Sequence, residues 1–309
     1  MKISFVIPCY RSEKTLGGVI EEIQSTMPEI GHDYEIILVN DCSPDNTFEV
    51  IRELASKNKN ILGINLAKNF GQHSALMAGM RHSTGDVVVC LDDDGQTPAN
   101  EVGKLLGKLE EGYDVCYASY GKKQHSGFRN FGSKVNELMT RIMLGKPKKL
   151  KVSSYFAVKR FIVDDMLRYE QSYAYVIGLV LRATKNVCNV EVNHRARTEG
   201  TSGYTLAKLI SLWLNGFTAF SIKPLRIASA IGCFCAASGF IYGIYTIIKK
   251  LVLVDVQAGF SAIMSVLVFI GGMIMIMLGL IGEYIGRIYI CMNNSPQYVI
   301  KEKVGNIEE

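Results

Sequence analysis

The chain lacks several signatures that would settle a function early. It has no CxxC pair, no apolar core behind its N-terminus, no GxGxxG or Walker A run after any strand-like segment, and one tryptophan in 309 residues. The eight cysteines (Cys9, Cys42, Cys90, Cys116, Cys188, Cys233, Cys235 and Cys291) are scattered, with no histidine at ligand spacing. That argues against a zinc site or disulfide framework and fits a reducing compartment, most thiols serving as small apolar groups. MKISFVIPCY reaches Pro8 before any long apolar stretch, so no secretory leader is expected. The missing glycine fingerprints disfavour a dinucleotide enzyme or a P-loop NTPase. Charge of one sign is also scarce. Thirty-four Lys+Arg against 29 Asp+Glu leave +5, too little to indicate a nucleic-acid partner. His73, His82, His125 and His194 form no pair at metal spacing and read as surface or hydrogen-bonding residues.

Apolar length, by contrast, is plentiful. Mean hydropathy is +0.16 although 20% of residues are charged. Ile227 to Ile248 and Ala258 to Gly282 run for 22 and 25 residues without a charge. Each exceeds the roughly 20 residues that carry a helix across hydrocarbon, so two transmembrane helices are expected within 225–287. Residues 288–309 are left as a tail. Lys223 and Arg226 before the first run and Arg287 after the second favour a cytoplasmic catalytic domain, while Lys249 and Lys250 between the runs count against it. Phe128 to Leu144 and the segment 201–224 mix cations with large apolar residues, including Trp213, and read as interfacial helices or as ordinary core. Gly271-Gly272, Gly279 and Gly282 would let helices pack closely.

The first 120 residues alternate between two periods. Ile3–Pro8, Glu35–Asn40, Ile61–Leu66 and Asp86–Leu91 are β-branched runs, with amphipathic helical patterns over Thr15–Met27, Asp45–Lys57 and Gln72–Ser83 between them. This is an α/β pattern with a mostly parallel sheet covered on both faces. Ligands in such sheets sit beyond the carboxyl ends of the strands. Those ends carry Pro8-Cys-Tyr10, Asn40-Asp41-Cys-Ser43 and Asp92-Asp93-Asp94-Gly-Gln96. In extended geometry Asp92 and Asp94 share a face, where two like charges repel unless a divalent cation neutralises them. Hard oxygen ligands suit Mg²⁺ or Mn²⁺ bridging to phosphates, and a solvated acidic turn before the next helix is the alternative.

With these segments in place, the sequence resembles the family 2 glycosyltransferases, in particular the polyprenyl-phosphate sugar transferases with two C-terminal membrane helices. The resemblance rests on Ile7-Pro8-Cys-Tyr10, Val39-Asn-Asp41-Cys-Ser43-Pro-Asp45, Lys68-Asn69-Phe70-Gly71, Asp92-Asp-Asp94-Gly-Gln96 and Arg197-x-x-Gly200-x-Ser202-x-Tyr204. It implies a GT-A nucleotide-sugar-binding domain over 1–200. By the same resemblance Pro8, Tyr10, Asp41 and Asp92 would bind the nucleotide, and Asp92, Asp94 and Gln96 would hold Mg²⁺ or Mn²⁺ with the diphosphate. Arg129, Ser133, Arg197 and Ser202 would bind the acceptor phosphate, and Asp94, Arg129 and Arg197 would be the catalytic residues. The implied partners are a nucleotide-sugar, UDP-linked by expectation, and polyprenyl phosphate in the inner (plasma) membrane, the enzyme being multi-pass. Oligomerisation is left open.

Three positions depart from that pattern. Ser12, with Glu13 beside it, stands where relatives often have an acid; Asn40-Asp41 replaces Asp-Asp; and Val152-Ser-Ser-Tyr-Phe-Ala lacks the acidic candidate base. A phosphate monoester is already an anion near neutral pH, so its attack on the anomeric carbon demands alignment and charge management more than a base. A processive polysaccharide synthase is a rival, but Ile210-Ser211-Leu212 before Trp213 does not form its Gln-x-x-Arg-Trp motif. A non-catalytic membrane scaffold is the other.

Overall fold

The computed structural model describes residues 1–120, 146–147, 150–172, 174–193, 223–252, 259–293 and 295–305. It divides into an α/β unit, built from the chain up to Tyr204 together with Asn294–Glu309, and a helical unit, Thr205–Asn293.

In the α/β unit, apolar runs form strands β1 (Lys2–Cys9), β2 (Asp33–Asn40), β3 (Ile61–Leu66) and β4 (Val87–Cys90), within two residues of the expected limits. Helices α1 (Leu16–Ile30), α2 (Thr47–Lys57) and α3 (Gln72–Arg81) lie between them. There follow α4 (Val102–Glu110), β5 (Val115–Tyr120), β6 (Phe156–Lys159), α5 (Arg160–Leu167), α6 (Val176–Ala183), β7 (Val187–Val192) and, at the C-terminal end, β8 (Ile300–Val304).

All eight strands join one sheet in the order β7-β5-β6-β4-β1-β2-β3-β8. β1 pairs in parallel with both β2 and β4, whereas β6 and β8 run antiparallel to their neighbours. The chain therefore steps from β1 out to β3, then crosses back to β4 on the far side of β1. The crevice at this switch point, outside the carboxyl ends of β1 and β4, is where such sheets take ligands.

Both faces are covered, as the unbroken burial of β1 requires. Ile3, Phe5 and Ile7 join Leu16, Ile20 and Ile23 of α1 and Leu105 of α4 in one core. On the opposite face α3 lies close to β1: a Cβ at Gly79 would stand 2.4 Å from Val6 Cγ1. Ser4 and Glu35 stay polar inside the sheet because they satisfy each other. Ser4 Oγ donates to Glu35 Oε1 at 2.6 Å, Thr84 donates from N (2.6 Å) and Oγ1 (2.8 Å), and Lys2 Nζ lies 2.7 Å from Oε2. Burial pushes the Glu35 carboxyl up, but Lys2 and these donors outweigh it and hold it below the ordinary glutamate value.

The segment 288–309, expected as a tail, contains the edge strand β8. It pairs with β3, Ala67 N donates to Val299 O at 2.8 Å, and Arg52 of α2 bridges to Glu302 at 3.0 Å. Gln297 Nε2 reaches Tyr169 O and Gln171 O, and Ser172 Oγ donates to Ser295 O at 2.6 Å. A β-strand's backbone groups need partners on both sides, and β8 supplies them to the β3 edge.

The helical unit holds α7 (Lys223–Val252) and α8 (Phe260–Met292). Two spans were expected; among the described residues the stretch long and apolar enough to cross a membrane is Phe269–Gly286 in α8, and the apolar run of α7 is the shorter Ala228–Tyr242. Side chains such as Phe234, Phe240, Met275 and Ile276 are mostly exposed. A Cβ at Gly271, Gly272, Gly279 or Gly282 would meet nothing within 4 Å, whereas one at Gly232 of α7 would stand 3.6 Å from Met277 Cε of α8. All of Phe128–Leu144 and all but the last two residues of 201–224 lie outside the described residues.

Candidate functional site

Three loops converge beyond β1, β2 and β4. The first begins with Pro8 as the penultimate residue of β1 and continues into Tyr10, a residue 45% exposed. Arg11 follows with φ 59°, a left-handed conformation that costs a non-glycine residue about 1–2 kcal/mol. Its guanidinium lies over the Tyr10 ring, 5.6 Å from the centroid. Cys42, in the second loop, is likewise left-handed at φ 51°. Such strain persists only where neighbours hold it.

The neighbours are polar and specific. Arg11 N donates to Ser43 Oγ at 2.8 Å and Ser12 N to Thr47 Oγ1 at 3.0 Å. Thr47 Oγ1 donates in turn to Asp45 Oδ1 at 2.6 Å, and Ser43 Oγ donates to the same oxygen. Although burial raises the Asp45 carboxyl, these donors outweigh it and keep it below the usual aspartate value. Glu13, one of the departures, accepts from Asn46 N at 3.1 Å at the start of α2. Asn40, another, donates from Nδ2 to Asn65 Oδ1 at 2.9 Å, which an ionised aspartate could not do.

Asp41 is buried, and its two carboxylate oxygens accept from Phe70 N (2.7 Å) and Gly71 N (2.8 Å). It thus secures the Lys68-Asn69-Phe70-Gly71 motif at the start of α3, where Gly71 needs φ 88°. Burial raises its carboxyl, against those two N–H groups. A carboxylate has about four acceptor positions, so a ligand donor can still be accommodated.

In the third loop Asp92 Oδ1 accepts from Gln72 Nε2 at 3.0 Å and Oδ2 accepts from Ser154 Oγ. Asp94 Oδ1 receives Gln96 N at 3.1 Å across a turn in which Gly95 has φ 72°. Asp93, absent from the sequence expectations, links the first and third loops: Tyr10 N donates to its Oδ2 at 2.9 Å, and Thr15 Oγ1 donates to its backbone oxygen at 2.7 Å. Thr15 gives its hydroxyl to this loop and makes no cap bond to α1. Burial, with Asp92 adding, pushes the Asp93 carboxyl up to about 6 despite the Tyr10 N–H. Tyr120 feels the same field: burial, then Asp92 and Asp94, raise its phenol.

A divalent cation suits this donor set. Asp92 and Asp94 offer hard carboxylate oxygens in a partly exposed loop whose field resists further negative charge, and Gln72 and Ser154 donate as neutral groups. Among the described residues no group of three or more His, Cys, Asp or Glu side chains is placed to hold a metal ion. Phosphate oxygens or water would therefore have to complete the shell, the usual habit of Mg²⁺. Ser154, in the segment lacking an acidic base, faces Asp92. His73 is a packed neutral ring, T-shaped on Tyr175 at 5.0 Å, and burial pushes it down to about 4.

The structure brings Pro8, Tyr10, Asp41, Asp92, Asp94 and Gln96 to one end of the sheet. Arg129, Ser133, Arg197 and Ser202 lie outside the described residues. Asp93, Asp45, Gln72 and Ser154 went unrecognised: Asp93 had the acidic run as its signal and Asp45 its place in a quoted motif, whereas Gln72 and Ser154 are brought in from distant segments.

Comparison with known proteins agrees with this architecture. Residues 4–167 match glycosyl transferase family 2, and residues 223–288 match the GtrB C-terminal hairpin. The undecaprenyl-phosphate 4-deoxy-4-formamido-L-arabinose transferase of Proteus mirabilis (strain HI4320) is 34% identical over 308 residues, covering 98% of this chain and 94% of the relative. Its namesake from Pectobacterium carotovorum subsp. carotovorum (strain PC1) is 36% identical over 305 residues, covering 98% and 93%. Among solved structures, glucosyl-3-phosphoglycerate synthase from Mycobacterium tuberculosis, in complex with Mn²⁺ and uridine-diphosphate-glucose, superposes with TM-score 0.53 at 19% identity, over 70% of this chain and 77% of that one.

Proposed function

This chain belongs to glycosyl transferase family 2 and is a glycosyltransferase of GT-A fold; on that premise we propose that it transfers a sugar from a nucleotide-sugar, UDP-linked, to polyprenyl phosphate at the cytoplasmic face of a membrane. The observation that carries the reading is the junction at the β1/β4 switch point, where Tyr10 N meets Asp93 inside the acidic run 2.9 Å away. One joined surface then offers an exposed aromatic ring for a base and adjacent carboxylates for the diphosphate end of a donor. The full-length relatives named as undecaprenyl-phosphate transferases support the acceptor, and the Mn²⁺ and UDP-glucose of the structural neighbour support the donor class.

Asp92, Asp94 and Gln96 would hold Mg²⁺ or Mn²⁺, which when bound supplies positive charge to the leaving diphosphate. The chain's own residues do the rest. Gln72 and Ser154 orient Asp92, Gln96 N orients Asp94, and Asp93 fixes the Tyr10 loop beside them. Arg129 and Arg197 would take the acceptor phosphate, a task suited to bidentate guanidinium groups. An acceptor already anionic needs no strong base, consistent with Ser154 standing where an acid was sought.

Membrane attachment through both α7 and α8 is part of this reading. Residues 295–305 share a sheet with residues 2–90, so any membrane crossings between them come in an even number. Phe269–Gly286 is one crossing by length and composition, and α7, 30 residues or about 45 Å of helix, is the available partner.

The test is a donor panel with the purified full chain and undecaprenyl phosphate, reading released nucleoside diphosphate and lipid-linked sugar. UDP-4-deoxy-4-formamido-L-arabinose heads the panel because the relatives' names give that sugar. Turnover should require polyprenyl phosphate and stop in EDTA. Transfer onto a growing glycan, or no transfer from any nucleotide-sugar, would overturn the reading.

A further inference from the structure

Asp45 hydrogen-bonds to none of the groups assigned to substrate or metal, yet the N–H groups of both Arg11 and Ser12 lead to it, while the Ser12 carbonyl accepts from Thr15 N and Leu16 N at the start of α1. Its Oδ1 receives the hydroxyls of both Ser43 and Thr47, and those two oxygens accept the N–H groups of Arg11 and Ser12. A hydroxyl has one proton and an ionised carboxylate only accepts. The Asp45 charge thereby dictates which way each hydroxyl points, and turns both sets of lone pairs toward the loop. We propose that Asp45 is a positioning residue for donor binding, holding the loop after β1 in its left-handed form through Ser43 and Thr47 so that Tyr10 faces the crevice while its N–H meets Asp93.

The inference rests on the donor reading above and extends it to residues two bonds removed from any ligand. Without the relay only the Asn46 N bond to Glu13, one residue further on, ties this segment to the second loop, and φ 59° at Arg11 is a conformation a free chain leaves. Tyr10 would then leave its 2.9 Å bond to Asp93, and the base end of the site would separate from the diphosphate end.

Asp45 also accepts from Thr47 N at 3.2 Å, so a helix-capping role must be kept apart. Thr47→Val does so: the shape of a fully buried side chain and the bond from its backbone to Asp45 survive, but the oxygen that takes Ser12 N is gone. Thr47→Ser restores that oxygen, and Ser43→Ala and Asp45→Ala remove the other links. The full chain in detergent is titrated with UDP plus Mn²⁺ and with GDP plus Mn²⁺, followed by kinetics with each substrate varied and by thermal melting.

Loss of one buried hydrogen bond predicts a Kd for UDP raised about tenfold in Thr47→Val, with recovery in Thr47→Ser. The KM for donor should rise in step, while kcat at saturating donor and the KM for undecaprenyl phosphate stay within about threefold. Wild type binding UDP while Thr47→Val binds it equally well would overturn the inference and leave the functional reading standing. A Kd that rises equally in the valine and serine variants, or that simply tracks melting temperature, would overturn it as well. Wild type that binds neither nucleotide would overturn both.

Discussion

At the scale of single residues, three adjacent aspartates divide the labour by environment. Asp93 turns inward to a backbone N–H, while Asp92 and Asp94 keep oxygen atoms at the crevice. On the proposed reading, in which the carboxylate would serve a cation and not the core, Asp94→Asn should abolish turnover, by at least about 10³-fold, with a melting curve close to wild type. Activity and circular dichroism on the same preparation check it. Glu35, at the other end of the sheet, predicts a pH signature. Its carboxyl is held below the ordinary value when folded, so its contribution is complete above the unfolded glutamate range near 4.3 and is lost as pH falls through the lower folded value. Glu35→Gln should cost about 1–3 kcal/mol at pH 7, and the gap from wild type should close in denaturant melts as pH drops below about 4.

Elements place these residues by close approach. The β8 strand reaches β3 because Gly63 and Gly305 carry no side chain. A Cβ at Gly63 would stand 2.6 Å from Val304 Cγ2, and one at Gly305 would stand 2.4 Å from Ile61 O, with φ +86° adding strain. Gly305→Ala should loosen the end of β8 and destabilise the α/β unit by about 1–3 kcal/mol. Hydrogen exchange should localise the change to Ile300–Val304 and the β3 edge; unchanged protection there would refute the assignment. The strand and helix limits of β1 to α3 were legible because apolar runs of period two and stripes of period 3.6 are local properties. β8 was not legible. IKEKV alternates charge with apolar residues, as a half-exposed edge strand does, yet nothing local says that its partner lies more than 230 residues upstream.

For the whole molecule, the return of the chain to its own sheet constrains topology. If α7 and α8 cross a bilayer, residues before and after them lie on one side. A cysteine placed at Lys301 should then react with membrane-permeant but not impermeant reagents in intact cells, and should become accessible to both after lysis. Labelling at 301 by an impermeant reagent in intact cells would reverse the cytoplasmic assignment.

Composition and pattern sufficed for the α/β class, for the order of the first seven elements, for the polar loops at the strand ends and for two long C-terminal helices, α8 among them apolar over Phe269–Gly286. These follow from burial periodicity and from where polar residues interrupt it. Only the tertiary structure decided that Asp93 is the inward member of the acidic run, that Ser154 and Gln72 hold Asp92, and that the C-terminal segment is an edge strand. Each of those depends on contacts across tens to hundreds of residues. A hydrogen bond is set by distances of about 3 Å between atoms that the sequence leaves far apart, and chain folding alone brings them together.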